Sequence, residues 1–79
     1  MTVKLDVRPL LASGIEPLQA IMEAAATVGP GQALELTAPF EPVPLYGVMA
    51  QQGFRHTTER RAADEFVVTF VRQAGGGAV

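Results

Sequence analysis

Apolar residues in this 79-residue chain change their spacing several times, from every second residue to every third or fourth. Residues 3–9, "VKLDVRP", alternate strictly between apolar and charged, which predicts a half-buried strand that ends at Pro9. Residues 32–38, "QALELTA", alternate in the same way. Between them, apolar residues recur at helical spacing over residues 15–28. The first half of the chain is therefore predicted to fold as strand, helix, strand.

The second half continues this order with a further helix and two strands. Apolar residues at helical spacing follow Pro42 and Pro44, and Gly53 marks the end of that helix. Residues 54–60 and 65–72 are rich in β-branched and aromatic residues and are predicted to pair as an antiparallel hairpin. The order β-α-β-α-β-β, with right-handed crossovers, predicts an α+β fold. We expect a two-layer α/β sandwich, in which a mixed four-stranded sheet carries two helices on one face.

One domain is expected over residues 1–72, and residues 73–79, "QAGGGAV", are predicted to form a flexible C-terminal tail. Two valines on the last strand, Val67 and Val71, point away from the predicted core. They are explained either by a central strand whose long polar neighbours cover them or by a homodimer surface on the open sheet face.

Composition excludes several kinds of chemistry. The chain has no cysteine, so disulfides, thiolate catalysis and thiolate metal sites are excluded, and its one histidine leaves a metal site poorly supplied with ligands. We expect no metal and no cofactor. The net charge of −2 gives no electrostatic reason to bind nucleic acid. Neither a signal peptide nor a membrane helix is evident, which predicts a cytoplasmic protein without membrane contact.

Few residues offer nucleophilic or acid–base chemistry. Ser13 is interpreted as the N-cap of the first helix, with a nucleophile paired to His56 as the less favoured reading. His56 is placed at the margin of the core or in contact with a ligand. Arg55, His56, Arg60, Arg61 and Arg72 are expected at a locally basic end of the hairpin, either as a solvated turn neutralised by nearby acids or as a contact for an anion or an acidic partner.

The sharpest site hypothesis concerns the loops that precede the two helices. In a β-α-β sandwich these loops gather at one end, where unpaired helix N–H groups could bind an anion or a small ligand. The alternative is that the prolines only fix a tight loop. The candidate ligand-binding residues are Arg8, Ser13, Phe40, Glu41, Pro42, Pro44, Tyr46 and His56.

Two short motifs carry a resemblance to a known family. Leu5-Asp6-Val7-Arg8 in the first strand and Pro42-Val43-Pro44-Leu45 at the second helix resemble the DUF2249 family, an uncharacterised branch of the SirA/TusA-like domains, over residues 3–72. Sulfur carriers among those relatives use a Cys-Pro-x-Pro motif at the first helix. Here Pro17 matches its second proline, but the cysteine is missing, so the resemblance implies the fold and not the carrier activity.

Two functions are consistent with these observations. The favoured one is a non-catalytic binding or interaction module whose partner is another protein or a small ligand. The alternative is a small enzyme, or an accessory in sulfur transfer or redox metabolism, that uses Arg8, His56 and the loop at residues 39–46. The module is favoured because the sequence supplies no activated nucleophile and no acid–base pair.

Overall fold

The computed structural model describes residues 2–73 and arranges them in seven elements. In chain order these are β1 (Thr2–Asp6), α1 (Arg8–Ala12), α2 (Leu18–Ala26), β2 (Ala33–Ala38), α3 (Val43–Gln51), β3 (Phe54–Ala62) and β4 (Glu65–Arg72).

The four strands form one mixed sheet in the order β1-β2-β4-β3. β1 pairs with β2 in parallel, while β4 is antiparallel to both β2 and β3. The last strand in sequence therefore lies in the interior of the sheet, and β3 runs parallel to β2 across it. The predicted α+β fold with a mixed four-stranded sheet is confirmed, with one short helix, α1, in addition to the two expected.

The core lies between one face of the sheet and helices α2 and α3. Alternation places Leu34 and Leu36 of β2 on the same face as their partners Phe70 and Val68 of β4, and all four are fully buried. The helices cover this face with Ile21 and Ala25 of α2 and with Leu45 and Met49 of α3. Burying each large apolar side chain contributes about 1.5–3 kcal/mol, so this layer holds the two helices on the sheet.

No element of residues 2–73 covers the opposite face of the sheet. Val67 lies on that face, outside the core cluster, and is nevertheless only 4% exposed. Its strand has neighbours on both sides, and Thr37 and Glu59 stand in register with it. A central strand with polar side chains in register on both sides accounts for this burial, and the homodimer through this face is left as the alternative prediction.

The segment that follows β1 differs from the prediction. Pro9, which was expected to end the strand, lies in the first turn of α1, where its missing N–H costs no helical hydrogen bond. Ser13 is the C-cap residue of α1, whereas the N-cap of α2 is Pro17. The interpretation of Ser13 as an N-cap is therefore wrong, because an additional helix and the left-handed Gly14 (φ 75°) separate it from α2.

Arg72 also lies elsewhere than predicted. It pairs with Phe54, while Arg55 pairs with Val71 and His56 with Phe70, all toward the end of the hairpin opposite the turn, so these three residues do not join Arg60 and Arg61 in a basic cluster. Its guanidinium donates hydrogen bonds to three carbonyl oxygens, those of Ala25 (3.1 Å), Val28 (2.6 Å) and Gln52 (3.0 Å). Arg72 thus joins the C-terminal ends of α2 and α3.

Of the predicted C-terminal tail, the structure describes only Gln73, whose N–H donates to the carbonyl of Gly53 at 2.9 Å. Residues 74–79 lie outside the described part of the chain. Within residues 2–73, none of the helices combines the length and the hydropathy that crossing a membrane requires.

Candidate functional site

The starts of α2 and α3 flank an open cleft of about 340 Å³. This is the junction between helix starts that the topology predicts. The lining consists of Val7, Leu11, Glu16, Pro17, Leu18, Ile21, Leu36, Ala38, Phe40, Pro42, Pro44, Leu45 and Val48.

The floor of the cleft is formed where two parallel strands end. Leu36 and Ala38 belong to β2, and Val7 follows β1 directly. The N–H of Val7 donates to the carbonyl of Thr37 at 3.0 Å, which extends the β1–β2 pairing by one residue and fixes this floor. All three floor residues are buried, and the small side chain of Ala38 adds little bulk at this position.

The rim of the cleft is apolar and reaches the solvent. Three large hydrophobic side chains of the lining remain substantially exposed: Leu18 at 44%, Phe40 at 53% and Val48 at 38%. Large apolar side chains that keep this much contact with water around a concave surface are typical of interaction sites. The cleft is therefore open and is not a closed part of the core.

Glu16 is the charged residue among the lining side chains. Its Oε1 accepts a hydrogen bond from the backbone N–H of Leu18 at 3.0 Å, at the N-terminus of α2. A carboxylate here accepts a hydrogen bond from one of the N–H groups that lack a partner within the helix, and the helix dipole favours its negative charge. This arrangement opposes an anion and favours a neutral or cationic group.

The predicted site residues divide between the cleft and its surroundings. Phe40, Pro42 and Pro44 line the cleft, whereas Arg8 and Ser13 do not. The Arg8 guanidinium binds the carboxylate of Asp6, with Nη2 2.8 Å from Oδ2. This hydrogen bond lowers the pKa of Asp6 below its ordinary value.

The remaining predicted residues, Glu41, Tyr46 and His56, come together beside the cleft. The Tyr46 and His56 rings stack with their centroids 3.7 Å apart and their planes 10° from parallel. The Tyr46 hydroxyl donates to Glu41 Oε2 at 3.1 Å and is hydrogen-bonded to the hydroxyl of Thr58. Burial raises the pKa of Tyr46 above its ordinary value, and the Glu41 contact acts in the same direction. We call these four residues the tyrosine cluster.

The tyrosine cluster holds the loop that forms one wall of the cleft. Glu41 lies between the lining residues Phe40 and Pro42, and its side chain is tied through Tyr46 to strand β3. Thr58 was not among the predicted site residues, although its position two residues after His56 places it on the same strand face. Sequence analysis missed the rim, because Leu18 and Val48 were assigned to the buried stripes of their helices.

Fold and cleft together define a small two-layer α+β domain with an apolar recess between its helix starts. The model of the family described as "Uncharacterized conserved protein (DUF2249)" matches residues 4–72, and the chain belongs to the DUF2249 family, as predicted. No curated protein and no solved structure matches the chain.

Proposed function

We propose that this protein is a non-catalytic binding module that receives an apolar side chain of a partner protein in the cleft between α2 and α3. The observation that carries the proposal is the open cleft whose apolar rim side chains, Leu18, Phe40 and Val48, remain exposed.

Burial of apolar surface supplies the binding free energy in this proposal. Removing apolar surface from water is worth roughly 25 cal/mol per Å², and the cleft offers such surface on its floor and its walls. Its volume of about 340 Å³ is at the small end of the range for ligand pockets. A small molecule that filled the floor would leave much of the rim in water, whereas a protein surface would cover both.

The positions of the polar side chains support recognition rather than catalysis. Arg8 is engaged by Asp6, and the His56 ring stacks on Tyr46 within the tyrosine cluster. A reaction in the cleft would require acid–base groups within hydrogen-bond reach of the reacting atoms. The alternative is a small enzyme or an accessory in sulfur transfer or redox metabolism that uses Arg8, His56 and the loop at residues 39–46. Of these, the loop lines the cleft, whereas Arg8 and His56 are not among the lining residues. A cytoplasmic location and kinship with the SirA/TusA-like domains remain parts of our proposal.

The proposal is tested by NMR titration of the ¹⁵N-labelled protein with N-acetyl-leucinamide and N-acetyl-alaninamide. We expect saturable shifts at Leu18, Phe40 and Val48 with the leucine probe, and an affinity several-fold weaker with the alanine probe because less apolar area is buried. Phe40→Lys should abolish these shifts.

Val43→Lys provides the matched control for this titration. Val43 is 56% exposed, close to the 53% of Phe40, but it does not line the cleft. Equal loss of binding in both variants, or an absence of saturable shifts in the wild type, would refute the cleft as a binding site.

A further inference from the structure

The outward surface of α3 is unusual for a helix that packs on a sheet. None of the nine residues of α3, "VPLYGVMAQ", is charged, and Val43, Gly47, Val48 and Ala50 are exposed on it. A helix with one face in the core normally presents charged and polar residues on the other face. This exposed apolar surface begins at the cleft, since Val48 belongs to both.

Gly47 lies in the middle of this surface. Beyond the adjoining backbone of its own helix, a Cβ atom at this position would meet no atom of residues 2–73 within 4 Å, so no contact in this part of the chain requires a glycine here. Glycine in a helix interior lowers helix stability relative to alanine. Its backbone is accessible to a neighbouring element, which could approach α3 closely at this point.

The charges around the cleft are complementary to a basic partner. Glu16 lines the cleft, and Glu41 belongs to the loop that forms its wall. No lysine or arginine is present in the cleft lining, and the nearby Arg8 is paired with Asp6. A partner that covers this surface would therefore gain from Lys or Arg next to its apolar residues.

We propose that the occupant of the cleft is a cationic amphipathic helix of a partner protein. The helix lies along the exposed surface of α3, approaches it closely at Gly47, inserts one apolar side chain into the cleft and places a Lys or Arg beside Glu16. This inference rests on the proposed function and adds the chemistry of the partner. An amphipathic helix in an apolar groove is an established mode of recognition. Two copies of this chain would instead bring their acidic rims together around a two-fold axis.

The test uses two 18-residue helical probes with leucines at identical positions, one with lysine and one with glutamate at the polar positions. In fluorescence anisotropy at low salt we expect the Leu–Lys peptide to bind at least about tenfold more tightly than the Leu–Glu peptide. Glu16→Gln should lower the affinity for the Leu–Lys peptide by roughly threefold to tenfold. Glu23→Gln removes the same charge from an exposed position of α2 outside the cleft lining and should change the affinity less than about twofold.

Gly47→Leu tests the close approach to α3. The position is exposed, the added Cβ meets no side chain of the described residues within 4 Å, and leucine favours the helix, so the urea midpoint should not fall. Binding of both peptides should weaken by about tenfold or more if a partner helix lies against Gly47. The leucinamide probe, which occupies only the cleft, should bind this variant as it binds the wild type.

The outcomes separate this inference from the proposed function. If N-acetyl-leucinamide occupies the cleft but neither peptide binds, or Gly47→Leu has no effect on peptide binding, the helix proposal is wrong and the binding module stands. If both peptides bind equally, or if Glu16→Gln and Glu23→Gln have equal effects, the proposal that the partner helix is cationic is wrong. If the free protein sediments as a dimer and Gly47→Leu dissociates that dimer, the occupant of the cleft is a second copy of this chain and the proposal is wrong.

Discussion

Arg72 shows how one side chain can complete two helices. The last carbonyl groups of a helix have no partner within it, and a positive charge near them is favoured by the helix dipole. The Arg72 guanidinium reaches carbonyls at the ends of α2 and α3 and lies over the Phe54 ring, 4.4 Å from its centroid. No sequence pattern signals this role, because its partners are 20 to 47 residues away in the chain.

Replacing Arg72 should destabilise the protein substantially. We expect Arg72→Ala to lower the free energy of unfolding by about 2–4 kcal/mol, since it removes three hydrogen bonds to a charged donor and the contact with Phe54. Arg72→Lys should recover only part of this, because an ammonium group cannot reproduce the planar fork of donors. Urea unfolding measures both values. Arg55→Ala, at an exposed position, should stay within about 0.5 kcal/mol of the wild type, and an equal loss there would contradict the role of Arg72.

Tyr46 gives a prediction for alkaline pH. Its pKa is raised in the folded state from the ordinary 10.0, mainly by burial, so folding favours the neutral phenol. The resulting stability is fully present below the unfolded pKa and is lost as pH rises through the folded pKa. The wild type should therefore lose more stability than Tyr46→Phe as the pH rises above 10.0, as measured by urea unfolding.

At neutral pH, Tyr46→Phe should cost about 1 kcal/mol, because Glu41 and Thr58 lose their shared hydrogen-bond partner. If the free energies of unfolding of wild type and Tyr46→Phe fall in parallel at alkaline pH, ionisation of Tyr46 is not coupled to folding and the alkaline-pH prediction is wrong.

Helix α3 gives a prediction at the scale of an element. Gly47→Ala should raise the free energy of unfolding by about 0.5–1 kcal/mol, because alanine is the better helix former and its Cβ meets no other atom. The urea midpoint measures this gain. Gly53→Ala is the control, since Gly53 has φ 87° after the same helix and alanine there should destabilise the protein by about 1 kcal/mol or more. A loss of stability in Gly47→Ala would contradict this prediction and would mean that the fold itself requires a glycine at this position.

The regular elements could be predicted from sequence because their periodicity agrees with their packing. Strands β1, β2 and β4 alternate or carry β-branched residues, and the core helices follow the apolar stripes. Helix α1 could not be predicted, since it spans only five residues and has no buried residue to create a periodic stripe. The short-range signals around it, Pro9 and Ser13, were consistent with more than one arrangement.

The candidate site was predictable in position and less so in character. Topology alone places the two helix starts together, and the prolines of the loop do line the cleft. The exposure of Leu18 and Val48 depends on how far apart the helices lie, which a spacing pattern does not encode. The pairing of Arg8 with Asp6 and the stacking of His56 on Tyr46 likewise depend on side-chain directions that emerge only in the folded chain.

At the scale of the whole molecule, the described residues leave one sheet face without a covering layer, and this bears on assembly of the protein. Val67 is buried within the chain and Val71 partly so, while polar residues such as Lys4, Glu35 and Thr69 alternate with them. We expect this face to remain in water and the protein to sediment as a monomer at about 100 µM, because stable interfaces need a larger apolar core. If the protein instead sediments as a dimer and Thr69→Arg dissociates it, the sheet face is a dimer interface and this prediction is wrong.

The placement of β4 has a consequence for synthesis of the chain. Residues 65–72 stand between two strands that are made before them, and they contribute Val68 and Phe70 to the core. While these residues are still inside the ribosome, β2 and β3 have no common neighbour and the emerging polypeptide cannot close its sheet. We therefore expect molecular chaperones that bind nascent chains to contact this protein until β4 has emerged from the ribosome.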